Sequence, residues 1–151
     1  MQSLPTEATC LQRVAASFER QAVMRTMGIR LGKVAAGQVD LHMAHHPDLT
    51  QQHGFLHAGV LSTALDSACG YAAFSLMPPQ AAVLTIEFKI NLLAPARGPS
   101  FRFEGRVTKR GRTISVVDGQ AFQITDGSPE TLIASMSATV MTVLGRDAIQ
   151  Q

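Results

Sequence analysis

Residues 83–93 alternate apolar and polar side chains without interruption, Leu84, Ile86, Phe88, Ile90 and Leu92 against Thr85, Glu87, Lys89 and Asn91. A period of two belongs to a pleated strand with one greasy and one polar face. Such a strand needs partners and a cover for the greasy face, and the chain supplies a cover just upstream. From His57 to about Leu76 the residues Val60, Leu61, Ala64, Leu65, Ala68 and Ala72 recur at helical spacing, until Pro78 and Pro79 withhold the next N–H groups. No strand–helix–strand alternation follows. The pattern therefore predicts an α+β domain in which a sheet packs on one long, mostly apolar helix.

The remaining elements can be read in order. After a frayed start, Thr6 or Thr9 caps a helix over about 6–27, with Leu11, Val14, Ala15, Phe18 and Ala22 as its apolar stripe and Gly28 as its end. Residues 29–35 and 38–43 read as short strands around Ala36 and Gly37. A turn over 94–99 leads to a strand carrying Phe101, Phe103, Gly105 and Val107, which is expected to pair with 83–93 as a long hairpin. Residues 113–124 form the next strand, with a bulge expected near Asp118 and Gly119. Residues 132–144 close the sheet, and 145–151 read as an unstructured tail. With 151 residues and no internal repeat, the chain reads as one domain spanning 1–151.

Charge and cysteine usage narrow the function classes. A net charge of +2, with one short basic cluster at Lys109, Arg110 and Arg112, does not make the basic face of a nucleic-acid binder. Cys10 and Cys69 lie in apolar helical contexts without ligand spacing, so packing in a reducing compartment is expected, with no disulfide and no zinc site. His42, His45 and His46 form a tempting cluster, but a proline interrupts it and only Asp40 and Asp48 stand nearby, so no metal site is expected. The amino-terminal residues lack the pattern of a leader, and no apolar run is long enough to span a bilayer; a cytoplasmic protein without membrane contact is the expectation.

The chemistry concentrates between Gln51 and Ala73. The polar loop from Gln51 to Phe55 runs into the helix at His57, so the N–H groups of Ala58 and Gly59 have no intrahelical acceptor. The helix macrodipole adds about half a positive charge there, which suits an oxygen that becomes an oxyanion. Asp66 stands nine residues beyond His57 as the helix's lone carboxylate, among the small residues Gly59, Ser62, Thr63, Gly70 and Ala73. On the residues alone it is either a buried aspartate satisfied by neighbouring donors or an acid/base group. A serine-hydrolase reading of Ser62 or Ser67 fails, because no G-x-S-x-G elbow is present.

The run from His57 to Gly70, a histidine followed by small residues and Asp66, resembles the HGG-x6-D helix of the PaaI-like acyl-CoA thioesterases. The similarity extends from about Phe18 to Val143 and includes residues 82–96. It implies the hotdog fold, a curved antiparallel sheet wrapped around one long central helix, here with an N-terminal helix added. It further implies hydrolysis of an acyl-CoA, with Asp66 as general base or nucleophile and the N–H of Ala58, with Gly59 adjacent, as oxyanion hole. The family's first glycine after the histidine is Ala58 here, which keeps the N–H and adds a methyl group. The family's loop asparagine is Gln51, a longer side chain for positioning water. Matching back from the Ala-Pro-Ala turn puts the family's supporting hydroxyl at Thr85, while His57 shapes the loop and caps the helix. Phe55 and Ser67 are expected at the substrate, and Lys109, Arg110 and Arg112 at the CoA phosphates.

No cofactor is implied, since CoA belongs to the substrate. A homodimer sharing its sites, and a dimer of dimers beyond it, are the implied assembly. A non-catalytic acyl-CoA-binding module of the same fold is the alternative. A hotdog dehydratase fits less well.

Overall fold

The computed structural model describes residues 6–151, so the frayed start expected for residues 1–5 lies outside it. Thr6 caps α1 (Glu7–Arg20), its hydroxyl accepting the Thr9 N–H at 3.3 Å. The single helix expected over 6–27 is two helices. The chain breaks at Gln21, with φ −80° and ψ 96°, and resumes as α2 (Ala22–Met27), which ends on Gly28 at φ +67°. A tertiary contact accompanies the break: the Gln21 Oε1 accepts the Ser67 hydroxyl of the central helix at 3.1 Å.

The chain continues as β1 (Arg30–Ala35), β2 (Gln38–Ala44), a 3-10 turn at Pro47–Leu49, α3 (Ala58–Phe74), β3 (Ala82–Leu92), β4 (Ser100–Lys109), β5 (Ile114–Ile124) and β6 (Thr131–Val143). The strands make one six-stranded sheet in the order β1-β2-β4-β5-β6-β3, with every pairing antiparallel. The sheet wraps α3, which packs against β2 through β6; this is the expected hotdog arrangement. Leu41, Leu65, Phe101, Phe103, Val117 and Val140 are fully buried in the layer between helix and sheet. Cys10 and Cys69 are both buried and free.

The expected hairpin between residues 83–93 and 101–108 does not form. β3 pairs with β6 instead, and β4 lies between β2 and β5. The Leu93 and Ala94 N–H groups both donate to the Ile133 carbonyl, at 2.8 and 3.2 Å, so the chain stays with β6 to the end of the strand. It then crosses to the middle of the sheet through a connection holding Pro95 and Pro99, longer and stiffer than the two to five residues of a tight hairpin.

Nor does a bulge lie at Asp118 and Gly119. Gly119 is in register with Gly105, and β5 shifts register between Ala121 and Phe122 on its β6 side. The two glycines serve the helix: a Cβ on Gly105 would stand 2.3 Å from the Ala68 carbonyl oxygen, and one on Gly119 would stand 2.9 Å from the Cys69 Sγ. Only a sheet without side chains there admits the small face of α3 this closely.

A bulge does occur in β3, where the register shifts between Thr85 and Glu87 and leaves Ile86 unpaired. A one-residue insertion turns every later side chain to the opposite face. The uninterrupted greasy face expected from Leu84 to Leu92 is thereby divided: Thr85 pairs with the buried Val140, whereas downstream it is Phe88 and Ile90 that pair with the buried Ala138 and Met136. β3 is also an edge strand with large apolar side chains in the open, Ile86 at 52% and Leu92 at 53% exposure.

Residues 145–151, expected as a loose tail, lie against the domain. The Gln151 side chain accepts the Val83 N–H at 3.1 Å and donates to the Ser17 Oγ at 2.9 Å.

Candidate active site

Two places on α3 carry the predicted chemistry. The first is its N-terminus. The loop before it is pinned by its own backbone: the Gln51 N–H donates to the Phe55 carbonyl at 2.9 Å, Leu56 to Ala96 at 3.0 Å and His57 to Leu49 at 3.0 Å. His57 is the cap, its Nδ1 accepting the Gly59 N–H at 2.9 Å, while its carbonyl takes the Val60 N–H at 2.9 Å. An accepting Nδ1 places the ring proton on Nε2. Gly59 is thus already satisfied, and the N–H of Ala58 is left without an acceptor among the described residues. Ala58 lines a cavity of about 380 Å³ whose walls also include Gln51, Phe55, Leu61, Leu92 and Pro95. The Gln51 amide oxygen accepts the His53 N–H, which leaves its NH₂ end for anything bound there. The Arg97 guanidinium stands 4.7 Å over the ring of Phe55, one of those wall residues.

The second place is Asp66. The Thr85 hydroxyl donates to its Oδ1 at 2.7 Å, a contact that exists because the β3 bulge leaves Thr85 on the helix side of its strand. Half-burial pushes the carboxyl above the ordinary aspartate range, and the Thr85 hydrogen bond opposes that rise by stabilising the carboxylate. The cavity here, about 240 Å³, is bounded by Gln21, Ser67, Tyr71, Leu84 and Gln151 as well as by Asp66 and Thr85. Ser67 donates to Gln21, and the Tyr71 hydroxyl lies 3.2 Å from the Ser17 Oγ.

Eight residues of α3 separate Ala58 from Asp66, about 12 Å along the axis at ~1.5 Å per residue. A single carbonyl cannot touch both within one protomer. The two cavities share no wall residue.

The predicted residues therefore sort into groups. Asp66, Ser67 and Thr85 are together, and Gln51, Phe55, His57, Ala58 and Gly59 are together. Arg110 and Arg112 are with neither: they line a separate cavity of about 290 Å³ at the far end of α3, beside Leu76 and Ser115, and Lys109 is not among its walls. Gln21 and Gln151 at the Asp66 cavity, and Arg97 over Phe55, were absent from the sequence-based set, whereas Tyr71 is expected from the sequence, with Phe55, Leu56 and Phe74, at an apolar acyl pocket. Gln21 and Gln151 carry no local signal, being single polar residues in a helix and a tail; Arg97 stood in view beside the Ala-Pro-Ala turn. The histidines have structural work. The His46 Nδ1 accepts the Asp48 N–H at 3.2 Å, and the His45 Nε2 lies 3.0 Å from the Gly54 carbonyl. Among the described residues no helix is long and apolar enough to cross a membrane.

Comparison with known proteins places this geometry among relatives. The model of the thioesterase superfamily matches residues 53–130. A crystal structure of a thioesterase family protein from Silicibacter pomeroyi is 54% identical, covers 90% of this chain and 99% of that one, and superposes with a TM-score of 0.88. The PaaI protein of E. coli, from the phenylacetic acid degradation operon, shares the fold at 20% identity with a TM-score of 0.83, over 95% of this chain and 98% of that one. A Saccharolobus solfataricus protein named provisionally as an esterase is 34% identical over 105 residues, 70% of this chain and 69% of that protein.

Proposed function

We propose that this chain, which belongs to the thioesterase superfamily and has the PaaI-like hotdog fold, hydrolyses an acyl-CoA to the free acid and CoA. Membership supports a hydrolase; the CoA thioester as substrate, with a medium-chain or aromatic acyl group, and the roles of individual residues are our reading. The observation that carries it is the half-buried Asp66 carboxylate, held at 2.7 Å by Thr85 in its own cavity. A carboxylate whose proton affinity is raised by burial is a better base than one in water.

In this reading the thioester carbonyl oxygen sits on the Ala58 N–H and the carbonyl carbon faces Asp66. The carboxylate takes a proton from water as the water oxygen bonds to carbon, and the oxyanion that forms is stabilised by Ala58. The carbon–sulfur bond then breaks, and the CoA thiolate leaves with the proton that Asp66 gives back. Attack by Asp66 itself, through a mixed anhydride, uses the same atoms and needs water only in the second step. No cofactor is required.

Because Ala58 and Asp66 are about 12 Å apart on one helix, the two halves of the site come from different protomers. The exposed apolar edge of β3, beside both cavities through Leu84 and Leu92, is where a second copy docks. A dimer of such dimers, in a cytoplasmic setting that keeps Cys10 and Cys69 reduced, completes the proposal.

Asp66→Asn tests it. Turnover of benzoyl-, phenylacetyl- and octanoyl-CoA, followed by thiol release, should fall about 10²–10⁴-fold. The variant should melt no lower than the parent at neutral pH. Asp66 binds its proton more tightly folded than unfolded, so its ionisation costs stability as pH rises through the carboxylate range, and the amide avoids that cost. Retained turnover in a folded Asp66→Asn protein would refute the role given to Asp66, and absence of turnover in the parent with every acyl-CoA would leave the non-catalytic binding module as the better reading.

A further inference from the structure

The two halves of the proposed site differ in what they offer a substrate. The Ala58 cavity has no charged wall residue, and Phe55, Leu56, Leu61, Leu92 and Leu93 make much of its wall apolar, which suits an acyl group. The Asp66 cavity has a carboxylate and no cation in its walls, so it repels the phosphates of CoA. Those phosphates need a place beyond both.

Such a place adjoins the Asp66 cavity. Gln151 is a wall of that cavity and also of a larger cleft, of about 530 Å³, between α1, the end of α3 and residues 145–151. Three arginines, Arg13, Arg20 and Arg146, line the cleft against one carboxylate, Asp147. Arg13 is held by the protein itself: its guanidinium donates to the Met77 and Pro78 carbonyls at 2.9 and 3.0 Å and lies 4.6 Å over the Phe74 ring. Arg20 and Arg146 are exposed, and among the described residues neither is in an ion pair with Asp147 or any other carboxylate. Burial raises the pKa of Tyr71, a wall of the Asp66 cavity, while the Ser17 hydrogen bond and the charge of Arg20 oppose the rise, so that charge is felt in both spaces.

The reach also fits. Phe74, in the wall of the cleft, lies eight residues past Asp66 on α3, about 12 Å at ~1.5 Å per residue. The pantetheine arm from sulfur to pyrophosphate is as long as about four extended residues, ~14 Å at ~3.5 Å each. The other basic cavity, that of Arg110 and Arg112, shares no wall residue with the Asp66 cavity.

We infer that the cleft of Arg13, Arg20 and Arg146 binds the phosphates of the substrate's CoA, with Arg20 and Arg146 making the contacts. The inference rests on the acyl-CoA reading above and gives the substrate a direction: the acyl group lies on the Ala58 side, and the pantetheine arm passes Tyr71 and Val83 along Gln151 to the arginines. The planar fork of an arginine pairs two N–H groups with two phosphate oxygens, which suits both the pyrophosphate and the 3′-phosphate.

The test compares octanoyl-CoA with the octanoyl thioester of N-acetylcysteamine, which has the same acyl group and sulfur but no phosphate. Both are assayed in the parent, in Arg20→Gln/Arg146→Gln and in Arg110→Gln/Arg112→Gln. In Arg20→Gln/Arg146→Gln the ratio of kcat/KM for octanoyl-CoA to that for the N-acetylcysteamine ester should fall at least about tenfold, as for the loss of a hydrogen bond or two to a charged group, with the change in the KM for octanoyl-CoA. A ratio that does not move, or that falls no further than in Arg110→Gln/Arg112→Gln, overturns the cleft and leaves hydrolysis standing. If the parent turns over neither thioester, the hydrolase reading falls, and calorimetry with adenosine 3′,5′-bisphosphate decides the cleft by itself. Binding to the parent that weakens at least about tenfold in Arg20→Gln/Arg146→Gln supports it, and equal binding or none overturns it. Melting curves on all three proteins exclude misfolding as the source of a changed ratio.

Discussion

Ala58→Pro isolates the oxyanion donor with little damage to the fold. Ala58 is the first residue of α3, the helical position that tolerates proline best, because its N–H has no intrahelical acceptor to lose. The preceding His57 has φ −61° and ψ 141°, the extended conformation that a residue before proline adopts. No protein hydrogen bond is broken, so the expected change in stability is within about 0.5 kcal/mol. The catalytic effect should be large. The neighbouring Gly59 N–H is held by the His57 ring at 2.9 Å and is not free to replace the lost donor. Removing one oxyanion donor costs about 2.7–4 kcal/mol, a fall of 10²–10³ in kcat. The measurement is thiol release from saturating octanoyl-CoA, alongside a thermal melt. Ala58→Val serves as the control for bulk, since it crowds the same cavity and keeps the N–H. The reasoning is refuted if the proline variant loses less than about tenfold, or if valine costs as much as proline.

Thr85→Val removes the hydrogen bond that counters burial at Asp66, so the acidic limb of the kcat/KM profile should move to higher pH. On that limb the loss should be about tenfold, taking the lower end of the 1.5–3 kcal/mol typical of a hydrogen bond to a charged group because Thr85 is exposed; an unmoved limb contradicts the role given to Thr85. Mixing Ala58→Pro with Asp66→Asn under conditions that exchange subunits should restore about a quarter of parental activity, since half of the dimers are mixed and each of those has one intact site of two. Two inactive variants that stay inactive after verified exchange would rule out a site divided between protomers.

Much of this arrangement could be read before any contact was known, and the reason is locality. The extent of α3 follows from a helical repeat and two prolines, and the strands follow from alternation; both are properties of neighbouring residues. His57 as the cap and Asp66 as an isolated carboxylate on a small-residue helix are likewise visible along the chain. The glycine pair was visible as residues but not as a function, because what requires Gly105 and Gly119 is the approach of Ala68 and Cys69 from a different element.

What the chain could not disclose alone was decided between elements distant in sequence. A strand's alternation says that it must pair and is silent on the partner, so β3 was assigned to its neighbour β4 when the buried register belongs to β6. The unpaired Ile86 leaves no mark in the period, yet it sets which face Thr85 presents and therefore whether its hydroxyl meets Asp66. Gln21 and Gln151, 46 and 85 residues from Ser67 and Asp66 in the chain, reach the same cavity only because the break after α1 and the return of residues 145–151 bring them there. Local periodicity determines which segments are helix or strand and which faces are apolar. Long-range packing, weighing one set of partners against another, decides the register and hence the site.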